Sequence, residues 1–178
     1  MSTKENIIEA FWKLYAEKPI EKITIQELMN KAGYHRSVFY VYFKDIYDLL
    51  EQEEKNLIST LEQILPEVLS VIVNNSAASV EYISDDIYKH FEKNFFKVDI
   101  LLGKHGDLSF LFKIKKLFKK ILQDLVYFPD NDYKANLAME FFINGHLNAL
   151  LYLYKHYNKV KLEDYLKMVI PVFNSLFK

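Results

Sequence analysis

Residues 34–45 read Tyr-His-Arg-Ser-Val-Phe-Tyr-Val-Tyr-Phe-Lys-Asp, and they gather groups suited to planar or anionic partners. Arg36 is the only arginine, beside 22 lysines. Its guanidinium can donate a parallel pair of hydrogen bonds to the O6/N7 edge of guanine. It can equally rest on a phosphate, which positions a protein without reading sequence. The residue alone leaves both open. Tyr40 and Tyr42 carry hydroxyls able to meet a phosphate or a base edge, and Lys44 offers a point charge. Thr24, at a helix start, stands where exposed amides and the helix dipole favour a phosphate.

Other chemistries find less support. With no cysteine, disulfides and thiolate metal sites are excluded. No glycine-rich phosphate loop, nucleophile motif or clustered carboxylate pair occurs, so no enzyme and no cofactor are expected. Asp86 and His90 lie one helical turn apart, but two ligands without a third do not argue for a metal. The basic stretch Lys113–Lys120 carries Ile114, Leu117, Phe118 and Ile121 as a stripe, and reads as a solvated helix face rather than a membrane or nucleic-acid patch.

The elements that must position these groups are helices. Of 178 residues, 51% are apolar while only 4 are glycine and 4 proline, a composition that can bury a core and lacks the turns of a sandwich or barrel. Ile7, Ala10, Phe11, Leu14 and Tyr15 recur at helical spacing and predict a first helix ending near Lys18-Pro19. Thr24 and Glu27 form a capping-box pattern for a second helix, through Leu28 to Ala32, that stops at Gly33. A third, short helix covers His35 to Tyr42 with Phe39 and Phe43 inward. Asp45 caps a fourth, whose Leu49, Leu50, Leu57, Ile58, Leu61 and Leu65 lead to Pro66. After a break at residues 74–79 come a fifth helix (80–96), an isolated turn at 99–102, and a sixth helix capped by Asp107 or Ser109 and reaching Tyr127. Helices over 133–157 and 162–177 complete the chain, Pro171 kinking the last.

Two short helices joined by Ala32-Gly33-Tyr34 have the form of a helix-turn-helix, whose second helix enters the major groove of DNA. The segments Ile23-Thr-Ile-Gln-Glu-Leu28, Ala32 to Asp45 and Asp48-Leu-Leu50 together resemble the N-terminal domain of TetR-family transcriptional regulators over residues 5–50. Beyond that the likeness rests on helix order and length. The resemblance implies an all-α fold: a helix-turn-helix DNA-binding domain (1–47) and a helical ligand-sensing and dimerisation domain (48–178). It implies a homodimer on a palindromic double-stranded operator, released by a small-molecule effector and acting as a repressor. The DNA-contacting set becomes Thr24, His35, Arg36, Ser37, Tyr40, Val41, Tyr42 and Lys44. Two residues depart from the family pattern. His35 replaces a small residue, and Ile46 replaces a lysine in the first turn of the fourth helix. With residues 1–50 carrying seven basic and seven acidic side chains, these departures motivate the alternative of a TetR-like co-activator that binds a partner and has little DNA affinity of its own.

The helix over 133–157 is apolar nearly all round and must be covered on both sides. A second subunit is the expected cover, through Phe142, Gly145, Ala149 and Tyr152 with Leu166, Val169 and Phe173 of the last helix. Tyr82, His90, Phe91, Phe110, Phe141 and Tyr152 form a candidate ligand pocket, though aromatics of this kind can equally fill a core. Asn144 and His146 read as hydrogen-bonded core or interface residues. The first residues turn amphipathic within a few positions, unlike a signal peptide, and no window has the roughly 18 uncharged apolar residues of a membrane span. A cytoplasmic protein without membrane contact is expected.

Overall fold

The computed structural model describes residues 2–74, 85–127, 132–156 and 161–177. Among these residues there are eight α-helices and no strand. They are α1 (Thr3–Glu17), α2 (Ile25–Ala32), α3 (Arg36–Tyr42), α4 (Ile46–Val73), α5 (Asp85–Leu101), α6 (Leu108–Leu125), α7 (Tyr133–His156) and α8 (Leu162–Phe177), with a 3-10 turn at Ile20–Lys22. The chain divides into two compact units, 1–59 with 94–111 and 60–93 with 112–178. Helices α4, α5 and α6 each contribute to both.

In the first unit, α1 starts with a reciprocal cap: the Glu5 amide donates to Ser2 Oγ and the Ser2 amide to the Glu5 carboxylate. Ile7, Ala10, Phe11, Trp12, Leu14 and Tyr15 form its buried face. Helix α1 packs on α2, and α2 on α3. Leu28 and Met29 of α2, Phe39 of α3, and Phe43, Ile46, Leu49 and Leu50 around the start of α4 are all buried.

The second unit buries Leu69 and Ile72 of α4, Ile114, Phe118 and Leu122 of α6, Met139, Phe142, Ile143 and Leu147 of α7, and Tyr165, Leu166, Val169, Ile170 and Phe173 of α8. His146 is enclosed in this apolar set. Its ring stacks on Phe142 at 5.4 Å and tilts against Phe118 at 5.7 Å. The Tyr165 hydroxyl donates to the His146 carbonyl at 3.1 Å and lies 2.9 Å from Nδ1. Having one proton to give, the hydroxyl must accept from Nδ1–H, which fixes the neutral tautomer.

Burial holds the His146 imidazole down at about 4, below its ordinary 6.5. The folded form therefore resists a proton that the unfolded chain takes up below about 6.5. Stability is expected to be intact above that pH and to fall as pH drops towards 4, by an amount on the order of 3 kcal/mol. Urea unfolding at pH 7.5 and 4.5 measures it, and a His146→Phe variant should show a shallower loss. An equal loss in that variant would assign the effect elsewhere.

Several expected boundaries move. Helix α4 does not stop at Pro66 but continues to Val73. Proline forfeits one amide of the ladder, and buried Val68, Leu69, Val71 and Ile72 beyond it hold the helix together. By length and composition α4 could cross a bilayer, with an 18-residue window of mean hydropathy 1.3, yet these same residues and Leu57 are core. The turn expected at 99–102 is not isolated, because α5 runs unbroken from Asp85 through Leu101; residues 80–84 lie outside those described. Gly106 ends that stretch where a Cβ would collide with the Leu101 carbonyl oxygen. Asp107 then caps α6 by accepting from the Ser109 amide at 2.6 Å, and α6 ends at Leu125 rather than Tyr127.

Candidate nucleic-acid interface

Helix α2 is capped by Thr24, whose hydroxyl accepts from the Glu27 amide at 3.2 Å. The other half of the expected capping box is absent. The Glu27 carboxylate takes two hydrogen bonds from Lys18 at 2.7 and 2.5 Å, and this contact holds it below the usual carboxylate range. A cation at the end of α1 outcompetes one backbone amide.

At the other end of α2, Gly33 has φ 80° and ψ 27°. Its amide donates to Asn30 O and the Tyr34 amide to Met29 O, the paired bonds of a Schellman turn. A Cβ at this position would meet no atom within 4 Å, so backbone conformation rather than space demands glycine. The Tyr34 hydroxyl accepts from Asn6 Nδ2 at 2.9 Å, tying the turn to α1.

Helix α3 follows with His35 at its N-cap position. Phe39 is wholly buried, and its ring lies 5.4 Å from that of Phe43, itself 2% exposed. Anchoring one face sets the other. His35, Arg36, Ser37, Tyr40, Val41, Tyr42 and Lys44 are all exposed, as is Thr24. The eight residues assigned from sequence to DNA contact therefore lie on accessible surface of one unit. Arg36 does not project alone: Nη2 and Nε donate to the Tyr40 hydroxyl at 2.9 and 3.3 Å. Behind α3, Asp45 accepts from the Asp48 amide and Asp48 from the Lys44 amide, each at 2.8 Å. The Lys44 amide, then Gln52, hold the Asp48 carboxyl below its ordinary value. Ile46 is buried, so it serves the core and offers nothing to a phosphate.

Residues 7–52 match the family model of the bacterial regulatory proteins of the tetR family. Residues 7–52 are thus a TetR-type DNA-binding domain. Two solved structures extend the likeness along the chain. One, a TetR transcriptional regulator from Streptococcus agalactiae 2603V, is 24% identical with a TM-score of 0.63, covering 96% of this chain and 93% of that one. The other, the dihydroxyacetone kinase operon activator DhaS, is 17% identical with a TM-score of 0.51, covering 98% and 96%. Their likeness establishes a shared all-helical fold. No curated protein sequence matches it.

The remaining assigned residues fare differently. Phe142, Leu166, Val169 and Phe173, expected at a dimer interface, are buried within their own unit, where Phe142 and Phe173 meet edge to face at 5.1 Å. They belong to the core of that unit, packed on the faces that α7 and α8 turn inward. Gly145 and Tyr152 are exposed and Ala149 half-buried. The large apolar residues that α7 turns outward are Tyr133, Leu137, Phe141 and Tyr152, with Met168 and Val172 on α8, a set that hydrophobic periodicity does not single out.

Three residues of the candidate pocket have described side chains. Phe110 is buried in the first unit, whereas Phe141 and Tyr152, 71% and 56% exposed, lie on the outer face of α7. Tyr152 stacks on His156 at 4.2 Å. Tyr82 falls outside the described residues, as do the side chains of Asp86, His90 and Phe91.

One polar cluster escapes a reading of the sequence. Trp12 Nε1 donates to Glu53 Oε2 at 3.0 Å, and Lys97 donates to the same oxygen at 2.6 Å with its ammonium 5.5 Å from the Trp12 ring centroid. It joins α1, α4 and α5 inside the first unit. A signal existed: Glu53 and Glu54 follow Leu49 and Leu50 by one turn and precede Leu57, which places two carboxylates in the buried stripe.

Proposed function

We propose that this TetR-family protein acts as a homodimer that binds a palindromic operator with α3 in the major groove and represses transcription until a small effector releases it. The observation that carries the reading is the exposed face His35–Lys44, held from behind by Phe39 and Phe43. Residues 1–47 are assigned to DNA binding and 48–178 to sensing and dimerisation, in the cytoplasm. Dimerisation is supported by the apolar outer face of α7, where Tyr133, Leu137 and Phe141 are each at least 66% exposed. Lone surface apolar residues are ordinary, but a row at helical spacing marks a contact surface. A single short recognition helix also reads too few bases for useful selectivity.

Selection of binding sites from a random duplex library tests the reading. Two-fold symmetric sites with half-sites about one helical turn apart are expected. Phe141→Glu, which perturbs only an exposed position, is expected to sediment as a monomer where the parent is a dimer. Loss of the second half-site should then weaken operator binding roughly 100-fold or more. A dimeric Phe141→Glu protein would remove the outer face of α7 from the interface.

A second reading has a specific motive. The activator DhaS shares this fold along nearly its whole length, and buried Ile46 withholds a backbone contact. On this reading the protein activates, or works through a partner with weak DNA affinity of its own. A reporter driven by the selected site, with and without the protein, separates repression from activation.

A further inference from the structure

The contact between Arg36 and Tyr40 limits which edge of the guanidinium is available. The Tyr40 hydroxyl accepts from Nε and from Nη2, so it occupies the side edge of the guanidinium. Tyr40 is itself braced: its ring stands edge to face on the buried Phe39 ring, with centroids 5.6 Å apart and planes at 89°. The guanidinium carbon lies 5.8 Å from the Tyr40 ring centroid. A line of support therefore runs from the core through Phe39 and Tyr40 to Arg36. What remains available on the guanidinium is its end fork, Nη1 with the outer proton of Nη2. The hydroxyl, having accepted twice, keeps its own proton for an oxygen of the DNA backbone.

We propose that Arg36 reads one guanine in each half-site through its end fork, and that Tyr40 is the positioning residue that orients the fork. The proposal rests on the DNA-binding reading above. Two further observations support it. Arg36 is the first residue of α3, and the N-terminal residues of a recognition helix are those that meet base edges. The chain also uses lysine at 22 of its 23 Lys and Arg positions. A phosphate asks only for a point charge, which lysine supplies, whereas two parallel donors at the spacing of guanine O6 and N7 are what the arginine fork provides.

The test begins with the duplexes that the full-length wild-type protein enriches from a random library, each then remade with every guanine of the half-site replaced in turn. Wild type is expected to prefer guanine at one symmetric position by about 10- to 100-fold. Arg36→Lys, which keeps the charge but not the fork, should bind the parent duplex correspondingly weaker and lose that preference alone. Tyr40→Phe, which keeps the ring and deletes the hydroxyl, should reduce the same preference several-fold while leaving preferences elsewhere in the site unchanged. Both positions are exposed, and circular dichroism confirms folding of each variant. A uniform loss over all duplexes in Arg36→Lys, or no loss, would overturn guanine reading. An intact preference in Tyr40→Phe would overturn the positioning role. Failure of wild type to enrich any sequence would overturn the DNA-binding reading itself, and this inference with it.

Discussion

Replacing Phe39 by alanine is expected to cost about 3–5 kcal/mol of folding stability, the range for deleting a fully buried phenyl ring. Phe39 has no exposed surface, and its ring meets those of Tyr40 and Phe43 at 5.6 and 5.4 Å. Truncation therefore removes transfer free energy and two aromatic contacts, and leaves a cavity. Helix α3 has only seven residues and no side-chain cap, so it holds its shape by packing rather than by intrinsic propensity. With native stability of about 5–15 kcal/mol, the loss takes a large share of the total and should show as a lower urea midpoint. Site-specific DNA binding should fall with it at temperatures where the parent binds well. Val41→Ala, at a position 74% exposed, is the matched control and should change stability by no more than about 0.5 kcal/mol. A normal midpoint for Phe39→Ala would mean that α3 is not anchored through this ring.

The same residue explains why so much of the first unit was legible. Phe39 and Phe43 sit one turn apart across a segment bounded by Gly33 and Asp45, so the hydrophobic period determines which side chains of α3 face out. Gly33 adds a backbone requirement, φ 80°, that few other residues meet comfortably. Local rules of this kind act within four or five residues, and the sequence displays them directly. The dimer and pocket assignments needed a different kind of information. Helix α7 is apolar nearly all round, so its pattern does not by itself tell the inward Phe142 from the outward Phe141. That choice is made by which neighbour packs against it. For the same reason Phe110 and Phe141 looked alike in sequence, yet one has no exposed surface and the other is 71% exposed.

A second substitution addresses how the first unit is assembled. Lys97→Met is expected to destabilise the first unit by about 3 kcal/mol. Glu53 is buried to 4% exposure and shares one carboxylate oxygen between the Trp12 indole and the Lys97 ammonium. Removing the cation leaves a desolvated carboxylate held by neutral donors, Trp12 and, at 3.4 Å, the Asn56 amide. Breaking a buried pair from one side typically costs about 3–5 kcal/mol, and the quarter exposure of the Lys97 side chain argues for the lower end. Trp12 is the only tryptophan of the chain, so its emission during denaturant unfolding reads the cluster directly.

The double variant Glu53→Met, Lys97→Met should recover much of the loss, because replacing both charges by apolar groups removes the desolvation cost along with the attraction. What it does not recover is the Trp12 indole, whose buried N–H loses its acceptor at a cost of about 1–3 kcal/mol. A double variant less stable than Lys97→Met by the full cost of Glu53→Met alone would show that the two residues contribute separately, since the cycle would then contain no coupling. The placement of the pair matters more than its size. Glu53 lies on α4 and Lys97 on α5, 44 positions apart, and they meet against α1, the helix that packs on α2. No periodicity announces a contact of that span. The unit that presents α3 is consequently built from two separate stretches of chain, and a change at Lys97 should lower its stability although Lys97 is remote in sequence from every residue assigned to DNA.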